Sequence, residues 1–337
     1  MFVEKLYLCH QYSINHVRCF LLRSIMKFEE IIKKMAENGV ESLNSEEKEL
    51  LKGLNSQSNI HDFLKNVTID EIVSKADHLK TLNFKKMGDE EMFNAISNAI
   101  SFDSYKIGMP MCILKPQCIL FPSGTQFFRI RNIKNEARSI PVKFLSKEQD
   151  IWNAPEELCT AGRLNKEGES LLYTSVENPD ICVEEMNVKD DDWFCLIAYK
   201  SVKDIKSTLI GIWKDSEELS KEDNLKMRMI TNVLKDLFVR DVGKGTEFLY
   251  RVSERIAKDY FDLPRQVQDS WCYPSVAAKL GYNVCFRPDV AREVLQIANV
   301  QVCSIKHNGN QYEYTCYANV SWNSVEDKYE YERLVPE

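Results

Sequence analysis

The hydrophobic period changes from helical to extended around Ile107-Gly108-Met109-Pro110, and this change constrains the fold more than any other feature of the sequence. Upstream, Phe28, Ile31, Ile32 and Met35 recur at spacings of three and four, the mark of an amphipathic helix. Ser45-Glu46-Glu47-Lys48, Thr68-Ile69-Asp70-Glu71 and Gly88-Asp89-Glu90-Glu91 read as further helix starts, each with acids in the first turn. Downstream, Cys112-Ile113-Leu114, Cys118–Phe121, Gln126–Ile133, Leu171–Ser175, Trp193–Tyr199 and Ser207–Trp213 are extended. Two long helices follow, from about Glu217 to Phe238 and from Thr246 to Phe261. The second carries Phe248, Leu249, Val252, Ile256 and Tyr260 on one face. Val300–Lys306 and Gln311–Val320 flank His307-Asn308-Gly309-Asn310, a hairpin signal. The expected organisation is a helical region, 26–108, then an α+β domain with a mixed sheet and flanking helices, 109–322, and a polar tail, 323–337.

A length of 337 residues suits two compact units. Residues 1–25 are patternless and precede a clean amphipathic start at Met26, so they read as an upstream extension with Met26 as the true start. They do not read as a signal peptide, because Glu4, Lys5, His10, Gln11, His16 and Arg18 interrupt every apolar run. No stretch approaches the roughly 18 apolar residues of a membrane-spanning helix. Lys and Arg number 44 against 51 acids, a net charge of −7, which argues against nucleic acid or an anionic membrane as partner. Eleven scattered cysteines, an odd number set mostly beside apolar residues, fit the reduced thiols of a cytoplasmic protein.

Several tempting motifs lack their partners. Gly243-Lys244-Gly245-Thr246 has Phe238 where a phosphate loop needs glycine, so it reads as a helix cap. Asp190-Asp191-Asp192 precedes a strand without spaced oxygen ligands and reads as a solvated turn. Cys303, His307 and Cys316 lack a fourth zinc ligand. Beyond residue 78 the sole histidine is His307, which disfavours histidine-based nucleophilic catalysis.

The segment from Ala161 to Glu184 carries the informative pattern. Gly162 and Gly168 frame a loop, Leu171–Ser175 is a strand, and Asn178-Pro179 starts a helix bearing Glu184. Arg163, Tyr173 and Glu184 can thus converge on one cleft. Gly162-Arg163-Leu164-Asn165 with Gly168, then Leu172-Tyr173-Thr174-Ser175, then Glu184 eleven positions after Tyr173, resembles the RES domain, named for its Arg, Glu and Ser. Tyr273-Pro274-Ser275-Val276, Gly281-Tyr282-Asn283-Val284 and Pro288 fit its second block, and Phe128-Arg129-Ile130 fits its opening strand. The resemblance covers roughly residues 126–300, departing from the family at Ala161 and Leu164.

The resemblance implies an ADP-ribosyltransferase-like fold and a toxin of a toxin–antitoxin pair. Such proteins consume NAD as substrate, by phosphorolysis, by hydrolysis or by ADP-ribosyl transfer to a protein, so the implied partners are NAD, inorganic phosphate or a protein acceptor, and an antitoxin. By position, Arg163, Tyr173, Glu184 and Ser275 are the implied catalytic residues. Arg129, Asn165 and Asn283 join Arg163, Tyr173 and Ser275 in binding NAD. The residue types suit the chemistry. Breaking the nicotinamide–ribose bond leaves positive charge on the ribose, which a carboxylate stabilises. A pyrophosphate is gripped by a planar guanidinium, and no metal is required. The alternative is a non-catalytic RES-like module that binds a nucleotide or partner. Each residue also has an ordinary reading of its own, with Arg163 paired to Glu167 on a surface loop, Tyr173 a core strand residue and Ser275 the cap of a helix over 276–280.

Overall fold

The computed structural model describes residues 44–45, 63–104, 109–112, 114–133, 139–265, 267–278, 281–309 and 311–334. The proposed start at Met26, the amphipathic pattern of Phe28–Met35 and nearly all of the helix expected from Ser45 lie outside these residues. The chain divides into two compact units, one comprising residues up to Lys115 with Lys214–Val233, the other Pro116–Trp213 with Leu234 onward. The division is therefore discontinuous, where the sequence pattern suggests a single break near residue 108.

In the first unit, helix α1 spans Ile69–Thr81 and α2 spans Asp89–Ala99. Thr68 starts α1, its extended backbone and Oγ1 receiving the Glu71 N–H at 3.1 Å. At α2 the Glu91 carboxylate reaches back to the Gly88 N–H at 3.0 Å, and Asp89 and Glu90 add charge favourable to the positive end of the helix. Ile72 and Leu79 of α1 and Met92, Ile96 and Ala99 of α2 are buried, the stripes that spacings of three, four and seven produce. Strands β1 (Ser101–Ser104) and β2 (Met109–Cys112) then pair antiparallel. The change to extended structure thus comes a few residues before the sequence pattern shows it.

The second unit is mixed α and β. In chain order it has β3 (Cys118–Phe121), β4 (Gln126–Asn132), β5 (Leu172–Val176), α3 (Asp180–Glu185), β6 (Phe194–Ser201) and β7 (Ile205–Leu209). Then come the last turns of α4 (Lys221–Phe238), α5 (Phe248–Tyr260), β8 (Ser270–Pro274), β9 (Tyr282–Phe286), α6 (Pro288–Val294), β10 (Leu295–Asn308), β11 (Gln311–Asn323) and β12 (Lys328–Arg333). One ten-stranded sheet runs β12-β11-β10-β6-β4-β5-β9-β8-β7-β3, antiparallel except between β7 and β8. No described helix is long and apolar enough to cross a membrane.

Alternation along the strands separates two faces. Phe127, Leu172, Ile197, Tyr199, Val284 and Phe286 build the larger core on one. Ile130, Phe194, Cys303 and Ile305 pack against Cys182 and Val183 of α3 on the other. The centre of the sheet is a seam. Strands β4 and β5 share two register pairs, Phe127↔Val176 and Phe128↔Ser175, whereas β4 follows β6 along its whole length and β5 follows β9 from Leu172 to Ser175.

The segment from 323 is not a tail. Lys328–Arg333 pairs with β11 as the sheet's last strand, with Tyr329 and Tyr331 turned to the core and Lys328, Glu330 and Glu332 outward. At the expected hairpin, Asn308 pairs with Gln311, and Gly309 takes the positive φ of 63° that the tight turn demands.

Candidate active site

Helix α3 begins where the chain leaves β5 at the seam. Asn178 Oδ1 accepts the Asp180 N–H at 2.9 Å, and the Ser175 hydroxyl donates to the Asn178 carbonyl at 2.8 Å. Cys182 anchors the helix, its sulfur 3.2 Å from the Phe128 carbonyl oxygen and 3.1 Å from Ser175 Oγ, and burial pushes its thiol up to about 11. Residues four apart share a helix stripe, so α3 presents two stripes to two neighbours. Asp180 and Glu184 face β11, where they accept hydrogen bonds from Tyr314 and Tyr312. Ile181 and Glu185 face the segment from 275 to 283.

The consequence is that Glu184 does not meet Ser275; Glu185 does. Glu185 Oε1 accepts from Ser275 Oγ at 2.5 Å, Asn283 Nδ2 at 2.8 Å and the Val276 N–H at 3.2 Å. Ser275 and Asn283 are buried, 6% and 9% exposed, while Glu185 stays at the surface. Ser275 N–H donates to the Gly281 carbonyl, and Ser275 Oγ receives the Ala278 N–H at 2.9 Å, so it heads a turn and not a helix. Gly281 is required by close approach, since a Cβ there would lie 2.6 Å from Ile181 Cγ1.

Tyr173 and Arg163 organise the neighbouring loop. The Tyr173 hydroxyl donates to Asn165 Oδ1 at 2.7 Å and accepts the Leu164 N–H at 3.1 Å, while Asn165 Nδ2 donates to the carbonyls of Thr160 and Lys166. Burial first, then Cys285 and Tyr273, raises the Tyr173 hydroxyl well above its ordinary range, so it remains a protonated donor. Arg163 makes no pair with Glu167. Its Nη1 donates to the carbonyls of Phe238 at 2.7 Å and Arg240 at 3.0 Å, tying the loop to the end of α4. Nε and Nη2 take no part in those bonds.

Buried Tyr273 stands beside Asn283 in register. Burial first, then Cys285 and Glu185, raises its hydroxyl well above the ordinary range, while the Arg163 charge lowers it. Arg129 is not brought to this cluster. It is in register with Ile197, so its side chain leaves the sheet on the face of Phe127, opposite Tyr173, Ser175 and Asn283.

The motif spacing selects Glu184 over its neighbour Glu185, and Tyr273 enters the sequence pattern only as part of the second block. No local signal separates Glu185 from Glu184, because the stripe that Glu185 shares with Ile181 is set by Gly281, about a hundred residues away.

Gly162→Ala is expected to destabilise this loop by about 1–3 kcal/mol, read as a lower urea midpoint. Its Cβ would lie 2.4 Å from Asn165 Oδ1 and 3.0 Å from the Tyr173 hydroxyl. The loop is also latched to α5. Glu169 bonds the Lys166 N–H at 3.0 Å and Lys258 Nζ at 2.5 Å, and Lys166 Nζ lies 3.9 Å from Glu254 Oε1. Glu254 is buried, and its Oε2 has no hydrogen-bond partner. Burial raises its carboxyl above the ordinary 4.5 despite Lys166 and Lys258. A raised folded-state value means that stability held below 4.5 is lost as pH climbs through that value. Glu254→Gln, which mimics the protonated form, should therefore raise the melting temperature at pH 7 and lose this advantage near pH 4.

The other motifs have local partners. Gly243 N–H donates to Thr246 Oγ1 at 2.8 Å in the turn before α5. Asp190 is bonded by the His307 backbone and ring, and these bonds hold its carboxyl below the usual range. His307 pairs with Tyr312 and Cys303 with Cys316, four rows apart, or about 13 Å along a strand. His307 is thus too far from the two sulfurs to share one ion with them. Compared with protein-family models and with curated proteins, the chain matches none.

Proposed function

We propose that the second unit cleaves the nicotinamide–ribose bond of NAD, with Glu185 as the carboxylate beside the reacting ribose. The observation that carries this reading is the single Glu185 oxygen held by Ser275, Asn283 and the Val276 N–H, which orients the carboxylate and keeps Oε2 out of that network. As the bond to nicotinamide breaks, positive charge grows on the ribose, and a preoriented carboxylate stabilises it without reorganisation. Arg163 contributes positive charge and keeps Nε and Nη2 outside its bonds to Phe238 and Arg240, as N–H donors for a pyrophosphate. Asn165 and Tyr173 hold the Arg163 loop in place. The resemblance to RES domains supplies the cellular role, an intracellular toxin countered by an antitoxin.

Purified protein incubated with NAD, with and without phosphate, tests the reading by product mass. Phosphate-dependent ADP-ribose-1″-phosphate identifies phosphorolysis, free ADP-ribose hydrolysis, and added mass on a protein transfer. Undiminished NAD at high enzyme concentration refutes cleavage. A second reading, a nucleotide- or partner-binding module without turnover, draws on one observation: Arg163 and Tyr173 both spend hydrogen bonds on the protein itself. It predicts NAD bound in calorimetry and recovered intact.

A further inference from the structure

We propose that Cys303 and Cys316 form a reversible cross-strand disulfide, making the β10–β11 hairpin a site of thiol oxidation. The two residues are register partners on adjacent antiparallel strands, and their sulfurs lie 3.1 Å apart, inside the usual separation of non-bonded sulfurs. Opposed Cβ atoms in such a ladder stand about 4.5–5.5 Å apart, while a disulfide takes about 3.5–4.5 Å. The bulge between Val302 and Cys303 supplies the local twist that allows the difference to close. Access is asymmetric, since Cys303 is fully buried and Cys316 partly exposed.

That asymmetry orders the chemistry with a low-molecular-weight disulfide such as glutathione disulfide as oxidant. The Cys316 thiolate attacks one glutathione sulfur, forming a mixed disulfide and releasing one glutathione thiolate. Cys303 then loses its proton and attacks the Cys316 sulfur, expelling the second glutathione. Two protein thiols become one disulfide, and the oxidant is reduced to two glutathione thiols carrying the two protons. Burial holds the Cys303 thiol far above its ordinary range, so the second step is the slow one. Both sulfurs belong to the apolar layer that packs against Cys182 and Val183 of α3, so the link would form beneath the helix carrying Glu185.

The folded full-length chain is incubated with glutathione disulfide, alkylated, digested without reduction and mapped by mass. A linked peptide pair through Cys303 and Cys316, about 2 Da lighter than the two thiol peptides and separated by dithiothreitol, is expected. Cys303→Ser should instead accumulate glutathione on Cys316. Exposed Cys118 is the internal control for reagent access. Glutathione on Cys118 with Cys303 and Cys316 both still alkylated overturns the proposal, as does a link that forms only in urea. The outcome is independent of NAD cleavage.

Discussion

Glu185→Gln is expected to slow NAD loss by about 10²–10⁴ while leaving the melting temperature near that of the parent. The glutamine oxygen still accepts from Ser275 and Asn283, so packing is retained, and what disappears is the negative charge beside the developing ribose cation. Glu184→Gln is the paired control. Its carboxylate is bonded to Tyr312 on the other stripe of α3, and its rate should stay within a few-fold of the parent. A loss at Glu184 with none at Glu185 would return the role to the residue that the motif spacing selects. Equal rates in both variants would remove α3 from the chemistry altogether. NAD remaining over time and a thermal melt of each variant are the two measurements.

Phe127→Ala is expected to cost about 3–5 kcal/mol, a large share of the 5–15 kcal/mol that holds a typical domain together. Phe127 is fully buried at one of the two register pairs of the β4–β5 seam. Its ring meets Phe286 of β9 at 5.3 Å and Phe121 of β3 at 5.7 Å, both edge-to-face. Where few backbone hydrogen bonds join the two halves of a sheet, side-chain packing must carry the junction. Truncation therefore removes apolar area and opens a cavity where the ladder is thinnest. Urea unfolding followed by tryptophan fluorescence reads the change. A loss under about 1 kcal/mol would mean that the halves are held elsewhere.

What could be read from the sequence was local. Thr68 and Glu91 announce their helices through a cap and a reciprocal side chain, and Asn308-Gly309 announces its hairpin, because each signal acts within four residues. The β5 strand and the helix bearing the acidic pair were legible for the same reason. The choice between Glu184 and Glu185 was not, since it depends on which stripe of α3 meets Gly281, and Gly281 lies about a hundred residues away. The carbonyl partners of Arg163, at Phe238 and Arg240, are similarly remote. Strand β12 was hidden because Lys328, Glu330 and Glu332 make the segment look like a solvated tail, while Tyr329 and Tyr331 pack inward between them.

Those same charges are expected to discourage self-association. A sheet whose end strand bares unpaired backbone groups offers a template to another chain. Here one end, β3, is four residues long, and at the other β12 alternates Lys328, Glu330 and Glu332 along its exposed side. An incoming strand finds either too little backbone to grip or a row of charges that it must desolvate. Behind β12 stands β11, thirteen residues long and the most extended template in reach of that edge. Removal of Lys328–Arg333 is therefore expected to bare β11 as a template for edge-to-edge association of copies of the chain.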